Sequence, residues 1–262
     1  MNTLLVFLLF LLLTTITQIG GIVLMLCILI CKFWKRKFVL RKTLLFSVIY
    51  LTSTFFIVPH LASLWGREPI QHSDKIKPTN YFTVLLNRNY VVPKMNTLLK
   101  KTTYELRNSP IEIKYLDANF PFIDKFPLLP HLSHKDGKKL DLSLVYETSE
   151  KKITNKKKSI SGYGVFERPL TTEYDQIAVC KKKGYFQYDY PKYLTFGQIN
   201  DELTFSITGT KTLINALLKN AEMGKILIEP HLKHRLQLTN NKIRYHGCHA
   251  VRHDDHIHIQ IK

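Results

Sequence analysis

The chain closes with His253-Asp254-Asp255-His256-Ile257-His258-Ile259-Gln260-Ile261-Lys262, and the alternation inside this stretch governs the reading of everything before it. On an extended strand, residues two apart share a face, so His256 and His258 stand together while Ile257, Ile259 and Ile261 point the other way. The apolar face goes to a core. Two imidazoles are left side by side on the opposite face, where each can bind a metal or move a proton near neutral pH. An earlier stretch, Lys139 to Tyr146, has the same parity: Leu140, Leu142 and Leu144 on one face, Asp141 and Ser143 on the other. His134 precedes Asp141 by seven positions, with Gly137 between them to let the chain turn, so both side chains can reach one ion. Two nitrogens, one carboxylate oxygen and an open fourth position make the ligand set of a catalytic rather than a structural zinc. Such an ion lowers the pKa of water to about 7 and polarises a carbonyl.

The run His131-Leu-Ser-His134-Lys-Asp-Gly137-Lys-Lys-Leu-Asp141, taken with the terminal His253-Asp-Asp-His256-Ile-His258, resembles the penicillin-insensitive murein endopeptidases. These belong to a wider group with lysostaphin-type enzymes, D-Ala-D-Ala carboxypeptidases and the hedgehog amino-terminal domain. The resemblance spans Tyr90 to Lys262 loosely and is tight at those two blocks. It implies that His134, Asp141 and His258 are ligands of Zn2+ and that His256 is the general base. It further implies that His131 and His253 line the site, orienting substrate or stabilising the oxyanion, and that the substrate is an amide in peptidoglycan stem peptides or cross-links. Lys135 stands where the family often has Gln, and Lys139 where it often has an acid; neither is a ligand, so the departure bears on substrate preference. Two alternatives carry the same residues: a D,D-carboxypeptidase, and a noncatalytic zinc-containing domain that binds an envelope component.

Upstream, Thr3 to Cys31 and Thr43 to Trp65 are apolar runs of spanning length, since a bilayer needs roughly 20 apolar residues. Between them lie Lys32, Lys35, Arg36, Lys37, Arg41 and Lys42. A cleaved signal peptide carries its positive charge before the apolar region, not after it. Positive loops stay in the cytoplasm, so residues 1–66 are expected to be an anchor of two transmembrane helices joined by a basic cytoplasmic loop. The amino terminus and the rest of the chain then lie outside, at the inner (cytoplasmic) membrane with an extracytoplasmic catalytic domain. Residues 67–80, with Pro69 and Pro78, read as a tether, and residues 81–262 as the zinc peptidase-like domain.

Within that domain the expected helices cover Val92 to Leu106, Thr210 to Met223 (ended by Gly224) and Pro230 to about Leu238. Strands are expected at Ile111 to Leu116, Lys139 to Tyr146, Lys225 to Ile228 and Ile257 to Ile261, and Glu150 to Ser159 reads as a solvated loop. Without regular βαβ alternation, the fold class is α+β with an antiparallel sheet flanked by helices. Cys180 and Cys248 are either a disulfide or two buried thiols. Of the 11 histidines, seven fall in the blocks 131–134 and 246–258. His246 and His249 read as loop residues or braces, and His231 and His234 as a solvated helix face. The formal charge of +18 does not point to nucleic acid, because no phosphate-binding loop or nucleic-acid module is present; wall and lipid anions are the better partners.

Overall fold

The computed structural model describes residues 2–33 and 39–262; Lys35, Arg36 and Lys37 of the basic cluster lie outside the described residues. The centre of the molecule is a six-stranded sheet of β1 (Ile76–Pro78), β2 (Ile113–Tyr115), β3 (Lys139–Ser143), β4 (Met223–Leu227), β5 (Ile243–Arg244) and β6 (His256–Ile261), in the order β5-β4-β6-β3-β2-β1. The fold is α+β, but the expected antiparallel sheet is mixed. The four inner strands are antiparallel, while β5 joins β4 and β1 joins β2 in parallel at the two edges.

The register follows from the apolar parity. Ile257 pairs with Leu142 and Ile259 with Leu140, which puts His258 opposite Asp141 and His256 opposite Ser143. A slip of one residue would turn every isoleucine of β6 outward, so burial of one face specifies this pairing. On that face lie α4 (Pro93–Glu105) and α6 (Ile207–Leu218), whose Met95, Leu98, Leu99, Leu213, Ile214 and Leu217 share one core with Leu140, Leu142, Ile257 and Ile259. Each such side chain contributes about 1.5–3 kcal/mol of burial. Two further short helices are α5 (Gln176–Lys182) and α7 (Pro230–Arg235), the latter adding Leu232 to the same core.

Helix and strand limits differ from expectation where caps decide them. Ser206 caps α6 by accepting from the Gly209 N–H, so that helix starts earlier than Thr210 and ends at Leu218, and Gly224 lies within β4. α7 stops at Arg235. Residues 67–80, read as a tether, are built into the domain. The buried Arg67 guanidinium binds the Phe120 carbonyl and Asp124, Glu68–Pro69 pairs with Tyr90–Val91, and Ile76–Pro78 is a strand of the sheet. Glu150 to Ser159 is not wholly a loop either: Ile153–Thr154 pairs with Tyr146–Glu147.

The amino-terminal run departs most. It is not one span but two half-length helices, α1 (Thr3–Thr17) and α2 (Gly20–Phe33), folded back on each other. The chain reverses at Gln18, whose φ is 66°. Thr14 and Thr17 hydroxyls return to the Phe10 and Leu13 carbonyls, and the Gly20 N–H donates to the Thr17 hydroxyl. Gly21 permits the close approach: a Cβ there would lie 2.1 Å from Thr14 Oγ1 and 2.8 Å from the Phe10 ring. Among the described residues one helix, α3 (Arg41–Trp65), is long and apolar enough to cross a membrane, not two. The α1–α2 turn rests on the domain: the Phe122 N–H donates to Gln18 Oε1, and Ile19 and Val23 pack with Val58, Ala62 and Tyr90.

Candidate metal centre

The face of the sheet turned away from the core carries the site. β3 and β6 present Asp141 and His258 as directly opposed residues, and the loop before β3 brings His131 and His134 over them. His258 Nδ1 lies 2.8 Å from Asp141 Oδ1, His134 Nε2 lies 3.2 Å from the same oxygen, and the two nitrogens are 3.1 Å apart. His131 Nδ1 is 3.3 Å from the second oxygen, Oδ2. All four residues are buried. His131, His134 and Asp141 offer atoms close enough to hold one metal ion.

The tautomers sharpen this. His134 Nδ1 faces the Ala118 carbonyl at 2.6 Å, where it can only donate, which leaves a lone pair on Nε2. That lone pair confronts a carboxylate oxygen and another imidazole nitrogen, and one proton on His258 Nδ1 cannot serve all three. A cation can. Burial drives His131 and His253 well below the ordinary imidazole range and His258 down to about 4, toward the neutral form that ligates metals. Burial pushes the Asp141 carboxyl up, but His134, His256 and His131 outweigh it and hold Asp141 well below the usual carboxylate range.

His256 lies beside this group. Its Nδ1 is 2.5 Å from Asp255 Oδ1, and its buried Nε2 has no hydrogen-bond partner among the described residues and lies 3.7 Å from Asp141 Oδ2. Burial disfavours its charged form, yet the Asp141 and Asp255 carboxylates raise it to about 9. His253 lies against it, tilted by 42°, at 4.6 Å between ring centroids.

The structure thus brings together all six residues singled out in the sequence, His131, His134, Asp141, His253, His256 and His258, and adds others. Tyr163 donates its hydroxyl to Asp141 Oδ2 at 2.9 Å, accepts from the Asp117 N–H at 3.1 Å, and lies against the His131 and His256 rings. The flanking Gly162 and Gly164, with φ of 95° and 83°, were the available signal for a tight approach. Asp255 accepts from the Gly164 N–H at 2.6 Å and so holds this segment as well as the His256 ring. Glu229 accepts from Tyr188, from His246 and from the His253 N–H, making His246 a brace. Cys180 and Cys248 are disulfide-bonded and tie the loop carrying His246 and His253 to α5. His234 is exposed as expected, but His231 is buried, its Nε2 on the Glu167 carbonyl at 2.7 Å.

Neither protein-family models nor curated proteins match the chain.

Proposed function

We propose that the chain is a membrane-anchored zinc peptidase that hydrolyses an amide in peptidoglycan stem peptides or cross-links. The observation that carries this reading is the convergence of His134 Nε2, His258 Nδ1 and Asp141 Oδ1 within 3.2 Å of one another, with fewer protons than lone pairs. Two imidazoles and one carboxylate suit zinc, and these residues are its ligands on this reading. When bound, the ion supplies Lewis acidity toward the carbonyl and lowers the pKa of water.

His256 Nε2 is placed to take the proton from the attacking water, since Asp255 fixes its Nδ1 proton. With its charge shared with a bound cation, Asp141 would raise His256 less, leaving that ring closer to the neutral form a base requires. His131 and His253 border the same space and can donate to a developing oxyanion, while the Tyr163 hydroxyl, its proton on Asp141 Oδ2, holds that carboxylate in place. α3 serves as the span, Lys32, Arg41 and Lys42 mark its cytoplasmic end, and the domain faces the wall, where a disulfide persists. Anionic wall and lipid groups, not nucleic acid, are the partners of the positive surface.

The test is digestion of purified peptidoglycan with the full chain in detergent, with and without a chelator, read by mass spectrometry. Loss of one stem-peptide bond, abolished by chelation and restored by zinc, is expected. Undigested peptidoglycan under zinc-replete conditions overturns the reading.

A further inference from the structure

Beside the metal centre opens a cavity of about 320 Å³, walled by Lys114, Ser143, Asn155, Lys156, Lys157 and Asn200 among others. Its lining holds three ammonium-bearing side chains and no carboxylate. Strand parity places it. Tyr115 is in the core and pairs with Leu142, so Lys114 projects from the other face, beside Ser143 and on the side of Asp141. Ser143 stands opposite His256 across the β3–β6 pair. The cavity therefore begins one cross-strand step from the general base, about 5 Å, and two residues along β3 from the ligand Asp141, about 7 Å.

The lysines are not already neutralised. Glu112 is ion-paired with Lys77 at 3.1 Å, and among the described residues neither Lys114 nor Lys156 has an ion-pair partner within 4.0 Å. Lys157 Nζ donates to the Ile160 carbonyl at 2.6 Å, a neutral acceptor. The loop is set in place independently of any ligand: Asn155 accepts from the Glu112 N–H and donates to the Pro110 carbonyl, and Asn200 donates to the Lys157 carbonyl. Burial lowers both Lys114 and Lys157; the Glu112 carboxylate opposes this only in part for Lys114, and for Lys157 the Lys114 charge adds to it.

We propose that this cavity is an anion subsite that takes a free carboxylate of the peptide being cleaved, one or two residues from the scissile amide. The spacing fits, since one extended residue covers about 3.3–3.6 Å. This rests on the peptidase reading, and it narrows the substrate to peptides whose carboxylates are not amidated.

Two measurements separate the proposals. In the first, the chelator-treated full chain in detergent is titrated calorimetrically with N-acetyl-D-alanyl-D-alanine and with its carboxyl-terminal amide. Metal is absent, so it cannot contribute affinity for the acid. The acid is expected to bind at least tenfold more tightly. The K114Q/K156Q variant should erase that preference, while K114R/K156R keeps it. Equal binding of acid and amide, or an unchanged preference in K114Q/K156Q with native thermal unfolding, overturns the subsite. Lysine-dependent binding of inorganic phosphate without binding of the acid also overturns it.

In the second, the zinc-loaded chain digests peptidoglycan before and after chemical amidation of its carboxyls. K114Q/K156Q is expected to lose about tenfold on native material and to be unchanged on amidated material. Absence of hydrolysis by the unsubstituted chain on both counts against the peptidase, while the titration still decides the subsite.

Discussion

At the residue scale, His256 and the ligands have separable roles. His256→Ala is expected to retain metal at the stoichiometry of the unsubstituted chain, measured by elemental mass spectrometry, and to lose hydrolysis by 10²–10⁴-fold. His134→Ala should instead lose the metal, because it removes the lone pair that Ala118 orients. If His256→Ala digests peptidoglycan at the original rate, another group is the base. Tyr163→Phe leaves the Asp117 N–H and Asp141 Oδ2 short of one partner each, at about 1–3 kcal/mol by urea denaturation. Asp141, His256 and His258 were legible through parity on a strand and His134 through the turn at Gly137, whereas His131 and His253 came only from the resemblance of their two blocks to a known family. Tyr163, Asp255 and Glu229 were not legible. Tyr163 and Glu229 join the site through long-range pairing, with the glycines beside Tyr163 as the one local mark, and nothing in the pattern separates Asp255, next to His256, from its neighbour Asp254.

At the element scale, the β3–β6 pairing was readable because each strand is amphipathic with period two. Its neighbours at the sheet edges were not: β1 and β5 are short, and their parallel pairing depends on crossovers that leave no mark in so few residues. α7 illustrates tertiary override. Pro230 opens it as expected, but its His231 face is covered by the Glu167–Glu173 segment, and Arg235 grips Glu173 through Nε at 3.0 Å and Nη2 at 2.6 Å.

The Arg235 hydrogen bonds lower Glu173 to about 2 from the 4.5 of an unperturbed glutamate, against a smaller opposing effect of burial. A carboxyl depressed in the folded state stabilises above its unfolded pKa, and that contribution is lost as pH falls toward its folded value. The urea midpoint of the unsubstituted chain should therefore fall between pH 4.5 and pH 2 by more than that of Glu173→Gln. At pH 7 Glu173→Gln should cost about 1.5–3 kcal/mol. Parallel pH profiles of the two proteins would show that the pair contributes nothing.

At the scale of the whole molecule, the Cys180–Cys248 bond closes a separation of 68 residues and secures the loop that carries His246 and His253. Cys180→Ser with Cys248→Ser is expected to lose about 2–4 kcal/mol by urea unfolding. Hydrolysis should fall as well, through His253 rather than through the metal. Retained stability under reductant would contradict this. The sequence could not choose between a disulfide and two thiols, because the choice depends on α5 meeting the 245–253 loop. The apolar amino-terminal run was misleading for a related reason. Hydropathy counts residues and ignores direction, and the reversal at Thr17-Gln18-Ile19 sits inside an otherwise unbroken greasy stretch.

On the proposed function, that reversal also limits where the chain acts. The turn is bonded to Phe122 and wedged against Tyr90, and the last turn of α3 runs into Arg67 without slack. On the anchored reading, the catalytic head cannot swing on a leash through the periplasmic gel. It is held at one height above the lipid, so it meets strands as they emerge from the bilayer and leaves older, distant layers untouched.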